Sequence, residues 1–341
     1  MGIFPNLIGV IVLAQFQAIG GGGVEAPAIS GRASPICARS IVDSMMKPYF
    51  KDQVRVAAVQ YPIEYNLSRA NLLDKISSFV TRAKGSQADL VVFPELIAFD
   101  LYSQRKGLSV ADQLRKIAEQ DTPQIFGDLS RLAVSQRIAI LGGSFPRIKE
   151  GRIYNTSLLA LSDGTIIYQD KTFLTEDEKA YGFSAGEQVK VFDAPWGRTA
   201  ILICYDCEVP SISADLAPFI PELLLIPSMT GAEGFQRVRN SAKARAIEHL
   251  AYIVHSSAVP TSSSFTQFEG QSALLTPNNH GFLGVVREGM WNMPEIVVGI
   301  FNLKKLRENR QSGGVWPVFD QLQRSEKPLQ IQLVELQQKH F

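Results

Sequence analysis

Cysteine and histidine are scarce in this chain, which has three Cys and four His among 341 residues. Three cysteines are too few for a disulfide framework and leave one thiol unpaired. A reducing compartment therefore fits best, and we expect the protein in the cytoplasm. The four His residues do not have the spacing of metal ligands, so no metal site is predicted.

A surplus of charge of one sign is also missing. Lys and Arg number 34 against 33 Asp and Glu, which gives a net charge of +1. Without a basic surplus, nothing indicates nucleic acid or an anionic membrane as the partner. The length and the 45% hydrophobic content are those of a globular protein with one large α/β domain or two modest ones.

The N-terminal region has one apolar run, Leu7–Ala14, which is too short to predict a membrane span. Small residues follow it up to Ala26, so an export signal stays open, although no Lys or Arg precedes the run. A translation start at Met45 or Met46 is a third reading.

Three segments are expected. Residues 1–50 form a poorly ordered or signal-like extension, 51–310 the globular domain, and 311–341 a looser tail. No repeat of 20–50 residues and no long polar linker interrupts 54–303. Alternating strand and helix patterns predict two sheets covered by helices on their outer faces. Asn66 is the expected cap of the first helix, and Asp163-Gly164 predicts a hairpin turn.

Cys204 closes the apolar run Thr199–Cys204, which reads as a buried strand. The acidic residues and Pro210 after it predict a turn that enters a helix. A thiol at this junction lies near backbone N–H groups and the positive end of a helix, which favours a nucleophile. A structural role stays open, because free cysteine is among the most buried residue types.

Two more chemically active side chains follow strands. Glu95 comes after Leu90–Pro94, where partial desolvation would raise its pKa and suit it to proton transfer. Lys171 comes after Ile166–Asp170, and an ammonium in a dry pocket stabilises an oxyanion. Each residue is also compatible with a solvated surface position.

Glu178 lies in the acidic cluster Thr175–Lys179. A carboxylate here would hold Lys171 in register, and Glu176 is the competing choice. A solvated acidic face is the alternative for the whole cluster.

Together these motifs resemble the Glu–Lys–Cys signature of the nitrilase, or carbon–nitrogen hydrolase, superfamily, in its amidase-like branch. The resemblance covers about Val54–Asn302, and it departs from many relatives in one place, with Phe173 where they carry His. It implies a four-layer α-β-β-α sandwich without a cofactor. It also implies a homodimer or a higher homo-oligomer, whose subunits pair through the helix after the nucleophile and the helix at about 235–249.

The resemblance assigns a role to each residue of the motif. Cys204 attacks the carbon of a small amide-like substrate, and Glu95 is the general base. Lys171 and the backbone N–H of Tyr205 stabilise the oxyanion, while Glu178 orients Lys171. Nitrile hydrolysis and acyl transfer to an amine by the same site stay open.

Two alternatives of other classes remain. Cys204 and Cys207 form a CxxC at a strand-to-helix junction, which is the context of a dithiol oxidoreductase. A non-catalytic member that binds partners is the other. For the substrate pocket, the stretches 97–106, 179–188 and 229–236 are the expected walls. Four aromatic residues in them predict a partly apolar pocket or packing under the loops: Phe99, Tyr102, Tyr181 and Phe183.

Overall fold

Twelve strands and eight α-helices occur in the part of the chain that this computed structural model describes, residues 50–103, 107–262, 268–279, 281–312 and 315–323. The strands are β1 Gln53–Pro62, β2 Leu90–Val92, β3 Ala139–Lys149, β4 Arg152–Ala160, β5 Ile166–Asp170, β6 Val191–Ala194, β7 Gly197–Ile201, β8 Leu223–Ser228, β9 Tyr252–Val259, β10 Ala273–Leu275, β11 Val285–Glu288 and β12 Glu295–Asn302. The helices are α1 Arg69–Gly85, α2 Val110–Gln120, α3 Thr122–Gln136, α4 Glu176–Ala180, α5 Pro210–Leu216, α6 Ala232–His249, α7 Leu303–Gln311 and α8 Pro317–Gln323.

The strands form two sheets of six. The first has the order β5-β4-β3-β2-β1-β12, and the second the order β6-β7-β8-β9-β10-β11. A short parallel pairing of the ends of β1 and β9, Tyr61 with Ala258 and Pro62 with Val259, joins them. Strands β1, β2 and β3 are parallel, as are β7, β8 and β9. Their carboxyl ends are where an α/β fold places its site.

Strand β1 shows how the sequence produces the layers. Val54, Val56 and Ala58 belong to a core cluster that also holds residues of β7, β8 and β9, whereas Ala57 and Val59 pack with the helices α1, α2 and α3. Because side chains alternate between the faces of a strand, a strand buried on both faces reads as one continuous apolar run. Helices α5 and α6 cover the second sheet. The predicted four-layer α-β-β-α sandwich is therefore confirmed.

The start of α1 differs from the sequence prediction. Its N-cap is Ser68, whose hydroxyl accepts a hydrogen bond from the Asn71 N–H at 3.1 Å. Asn66 lies two residues earlier in a left-handed conformation with φ 57°. The prediction of Asn66 as the cap was wrong, because its backbone is left-handed and the helix begins only at Arg69, after the extended Ser68. Five apolar residues of α1 are buried: Leu72, Ile76, Phe79, Val80 and Ala83.

The predicted loose tail contains a helix. Helix α8 lies within the segment 311–341, and Trp316 and Val318 at its start are buried in the core between the sheets and helices. These apolar side chains hold the segment against α6. The limits of the three segments stay a prediction, and residues 1–49 lie outside the described residues. No described helix is long and apolar enough to cross a membrane.

Candidate active site

Glu95 is placed by a tight contact between the segment that follows β2 and the middle of β3. It follows β2, and the next residue, Leu96, adopts a left-handed φ of 46°. The Leu96 N–H donates to the Ser144 hydroxyl at 2.9 Å. A Cβ on Gly143, which has φ +75°, would collide with the Pro94 carbonyl. The Gly143-Ser144 pair in β3 thus fixes the direction of the Glu95 side chain, which is only 3% exposed.

Lys171 directly follows β5 and is held by its backbone on both sides. Its N–H donates to the Asn155 carbonyl at 2.8 Å, and its own carbonyl accepts from the Gly186 N–H at 2.7 Å. The side chain is 1% exposed, and its Nζ lies 2.8 Å from Glu95 Oε1 and 2.6 Å from Glu178 Oε2. The structure therefore brings the three predicted charged residues together in one buried cluster.

Glu178 is positioned by a capping box at the start of α4. The Thr175 hydroxyl accepts from the Glu178 N–H, and Glu178 Oε2 accepts from the Thr175 N–H at 3.0 Å. This reciprocal pair follows from the Thr-x-x-Glu spacing. Glu176, the competing choice, is exposed and pairs with Lys179 at 2.6 Å. Of the two glutamates, only Glu178 contacts Lys171.

Cys204 lies on a strained turn. It starts a 3₁₀ turn, Cys204–Glu208, three residues after β7 ends, and its φ is +50°. A left-handed conformation is costly for a residue with a side chain and occurs where the surrounding structure enforces it. The thiol is buried and interacts with the charges of Glu95 and Lys171. Tyr205 follows, and amides at the start of a helical turn lack partners within the turn.

The protonation states follow from burial and charge. Burial raises the pKa of the Glu95 carboxyl; the Lys171 ammonium opposes this rise, and Glu178 adds to it. Burial raises the pKa of the Cys204 thiol well above its usual range, and Glu95 adds to that rise. Burial alone would lower the pKa of Lys171, but Glu95, Cys204 and Glu178 together raise it. The resting site thus contains a neutral thiol beside a charged ammonium.

Asn155 is a site residue that sequence reasoning missed. It lies within β4, is fully buried, and its Nδ2 donates to Glu95 Oε1 at 2.9 Å and to Glu178 Oε1 at 2.8 Å. Thr156 and Ser157 follow it in the same strand, so one more polar residue there was no signal of a site. Met229 was also missed in this role: its N–H donates to Glu95 Oε2 at 3.1 Å.

Asp206 ties the two sides of the site together. Its Oδ1 accepts from the N–H groups of Thr172 and Phe173 at 3.1 and 2.8 Å and from the Thr172 hydroxyl at 2.8 Å. Its Oδ2 accepts from the Ile203 N–H at 3.2 Å. Burial raises the pKa of Asp206 to about 6, although the Phe173 N–H lowers it. This carboxylate joins the loop after Lys171 to the turn of Cys204.

Cys207 lies in the core and not beside the charged cluster. It is fully buried, and its thiol donates to the Val238 carbonyl at 3.8 Å. Burial raises the pKa of this thiol, and Glu208 adds to the rise. Both Cys204 and Cys207 are free thiols. The hydrogen bond of Cys207 goes to a core carbonyl and not to Glu95, Lys171 or Glu178, which favours a structural role over a redox partner.

The expected aromatic wall residues pack under the loops. Phe99, Tyr102 and Phe183 are buried, and the rings of Phe99 and Tyr102 lie 5.9 Å apart. Tyr65 joins them with ring distances of 6.5 and 6.3 Å. Tyr181 is half-buried. Residues 104–106 of the first expected wall lie outside the described residues.

A metal site would need a cluster of three or more His, Cys, Asp or Glu side chains with suitable geometry, and the described ranges contain none. The charged cluster instead centres on an ammonium, which occupies the position between the two carboxylates where a cation would bind.

The family follows from comparison with known proteins. Residues 55–289 match the carbon–nitrogen hydrolase family model, and the chain belongs to this family. YhcX of Bacillus subtilis strain 168, named a probable hydrolase, is 34% identical over 285 residues; the match covers 80% of this chain but only 55% of YhcX. The chain thus spans about half the length of that relative. The predicted family is confirmed.

Two further relatives have similar lengths. Human omega-amidase NIT2 is 25% identical over 280 residues, which cover 78% of this chain and 94% of NIT2. The crystal structure of Saccharomyces cerevisiae Nit3, a member of branch 10 of the nitrilase superfamily, superposes with a TM-score of 0.67 at 24% identity, covering 78% of this chain and 96% of Nit3. That structural likeness supports the fold.

Proposed function

We propose that this protein hydrolyses a carbon–nitrogen bond of a small amide, other than a peptide bond, through a thioester on Cys204. The observation that carries the proposal is the buried ammonium of Lys171, hydrogen-bonded to both Glu95 and Glu178 beside a thiol on a strained turn. A cation fixed next to a nucleophile is suited to stabilise a developing oxyanion.

The acylation half begins with a neutral thiol. Glu95 accepts the proton of Cys204 while the sulfur bonds to the amide carbon, and the carbonyl electrons move to the oxygen. Lys171 and the N–H of Tyr205 stabilise this oxyanion. When the tetrahedral intermediate collapses, Glu95 gives its proton to the nitrogen, the C–N bond breaks, and ammonia or an amine leaves. Glu95 is then ionised again.

The deacylation half uses the same groups with water. Glu95 accepts a proton from the water, whose oxygen bonds to the thioester carbon. The second tetrahedral intermediate breaks its C–S bond, and Glu95 returns the proton to the sulfur. The product is a carboxylic acid, and the enzyme is regenerated without a cofactor.

Lys171 can donate a hydrogen bond to the oxyanion because one N–H of its ammonium is not engaged by Glu95 or Glu178. An ammonium has three N–H donors, and two of them bond to Glu95 and Glu178. Among the described residues the third has no recorded partner, so it is available to a ligand. Glu178 orients the ammonium in this scheme and does not exchange protons with the substrate.

The substrate class rests on the relatives' names. Human NIT2 is an omega-amidase, which supports an amide over a nitrile. The site chemistry would also accommodate a nitrile carbon or an amine acceptor, so both belong in the test. The whole protein's activity is part of this proposal, because the first relative is much longer than this chain.

The test is ammonia release from a panel of linear amides, ω-amides, N-carbamoyl compounds and nitriles. C204A should lower the rate by at least about 10³-fold, since it removes the nucleophile. C207S is the matched control, because a hydroxyl can still donate to the Val238 carbonyl, and it should keep the activity. Absence of release that depends on Cys204 from every class would refute the hydrolase proposal. Activity lost equally in both variants would favour the dithiol reading.

The assembly, domain limits and location are proposals as well. We propose a homodimer that pairs through α5 and α6. Light scattering of the purified chain measures the mass, and a monomer across the working concentrations would contradict the dimer. We also propose that residues 51–310 form the hydrolase domain. We propose the cytoplasm as the location of the protein, and detection of the chain in an exported fraction would contradict that location.

A further inference from the structure

Asn155 contacts every charged member of the site. Its Nδ2 donates one hydrogen bond to Glu95 Oε1 and one to Glu178 Oε1, at 2.9 and 2.8 Å. Its backbone carbonyl accepts from the Lys171 N–H at 2.8 Å. The residue is fully buried in β4. Within the described residues, Lys171 is the one other side chain that donates a hydrogen bond to both glutamates.

These contacts close a ring. Lys171 Nζ bridges the two carboxylates on one side at 2.8 and 2.6 Å, and Asn155 Nδ2 bridges them on the other. We call Glu95, Lys171, Glu178 and Asn155 the four-residue ring. Two carboxylates and one ammonium give the ring a net charge of −1 when both acids are ionised. A second donor is therefore needed to hold the carboxylates close together without a second cation.

The amide orientation is set by the partners. The Nδ2 group supplies two N–H donors, one for each carboxylate, while Oδ1 has no recorded partner. Rotating the amide by half a turn would place its oxygen against two acceptor-only carboxylates. With Nδ2 toward both glutamates, each of its N–H groups meets a carboxylate oxygen that can accept.

We propose that Asn155 is a positioning residue of this site: its side-chain amide holds the Glu95 and Glu178 carboxylates in place, so that Lys171 keeps its third N–H for the substrate. This inference rests on the proposed function. Asn155 does not touch the reacting atoms in this scheme. It acts through Glu95, whose ionised form its hydrogen bond stabilises.

The first test is N155L, which keeps the size of the side chain and removes both donors. Loss of a hydrogen bond to a charged group should lower kcat/KM at neutral pH by about 10- to 100-fold. The same loss should move the acid limb of the pH–rate profile to higher pH by about one pH unit, because ionised Glu95 loses a donor. A residue that merely packs would slow the enzyme without moving the limb.

S157A is the matched control. Ser157 lies two residues along β4 on the same face, is fully buried, and has no recorded hydrogen-bond partner. Removing its hydroxyl should leave both the rate and the acid limb unchanged. A shift of the limb in S157A equal to that in N155L would show a general effect of the strand and overturn the proposal.

N155D covers the case in which N155L does not fold. It has the shape of Asn155 but adds a third carboxylate, which raises the pKa of Glu95 further, so the limb should move to higher pH by more than about one pH unit relative to wild type. Thermal unfolding of each variant checks that it is folded. An acid limb that superimposes on the wild-type limb in a folded variant overturns the proposal.

Alkylation of Cys204 by iodoacetamide can be measured from the mass of the intact chain. Because it needs no substrate, it tests the positioning role of Asn155 separately from the proposed hydrolase function. Reactive thiolate appears only after the coupled Glu95–Cys204 pair loses its first proton. The alkylation profile should therefore shift to higher pH in N155L. If it shifts while wild-type protein hydrolyses nothing, only the proposed function fails. If hydrolysis is found and neither profile shifts, only the positioning role fails.

Discussion

Lys171 Nζ lies 2.8 Å from Glu95 Oε1, although the two residues are 76 positions apart and each is almost completely buried. The contact exists because β5 and β2 belong to the same sheet and both residues follow the end of their strand. A buried pair of this kind is expensive to break, since one charge would remain without its partner.

Replacement of Lys171 by Met tests that relation. K171M should destabilise the fold by about 3–5 kcal/mol, because Glu95 and Glu178 lose their common cation. It should also lower kcat by about 10²–10³-fold through loss of an oxyanion donor. Urea denaturation and ammonia release measure the two effects.

K179A is the lysine control for K171M. Lys179 is exposed and pairs with exposed Glu176 at 2.6 Å, so its loss should leave the stability almost unchanged. Equal losses of stability in K171M and K179A would contradict the claim that burial makes the Lys171 ion pairs costly to break.

Asp206 predicts opposite effects of acid on activity and on stability. Its folded pKa of about 6 lies above its ordinary 3.8, so the folded state binds this proton more tightly than the unfolded state. As the pH falls from about 6 to about 4, wild-type protein should gain up to about 3 kcal/mol relative to D206N. Over the same interval, protonation of Asp206 weakens the hydrogen bonds that it accepts from Thr172 and Phe173. Activity should therefore fall, because these bonds hold the loop after Lys171 against the turn of Cys204.

D206N is compared with D215N, since Asp215 is an exposed acid on α5. An amide cannot accept on both sides, and a displaced Cys204 turn should cost about 10²-fold in kcat/KM. D215N should keep the activity. A stability difference between wild type and D206N that stays constant from pH 4 to 6 would refute the assignment. Urea titrations at several pH values measure it.

Gly143 and Gly151 offer a comparison at equal backbone conformation. Both have φ +75°, but a Cβ would meet the Pro94 carbonyl only at Gly143, while Gly151 has open space. G151A should therefore cost only the left-handed conformation, about 1–2 kcal/mol. G143A should cost more and should also reduce activity, because the backbone before Glu95 must move. Similar activity in both variants would contradict this role of Gly143.

The positions of three site residues in the fold could be predicted from the sequence. Glu95, Lys171 and Cys204 each come shortly after a strand, and strand ends are where side chains from separate parts of an α/β chain meet. Their convergence was inferred from the family resemblance. The buried cluster they form with Glu178 agrees with that inference, while their catalytic roles stay proposals.

The residues that were missed depend on neighbours distant in sequence. Asn155 is a site residue because it contacts two carboxylates that lie 60 and 23 residues away in sequence. The sequence of β4 does not indicate these contacts. Met229 acts through its backbone N–H, which has no sequence signal. Asn66 and Ser68 are both of residue types that cap helices well, and only the path of the chain decides which of them does so.

The left-handed φ of +50° at Cys204 has a consequence for the evolution of this chain. Glycine adopts that conformation freely, whereas any side chain there costs about 1–2 kcal/mol. Selection for thermal resistance alone would therefore favour glycine at position 204 and would discard the thiol. A cysteine that persists at this position in heat-adapted homologues would be a sign that its chemistry is still in use.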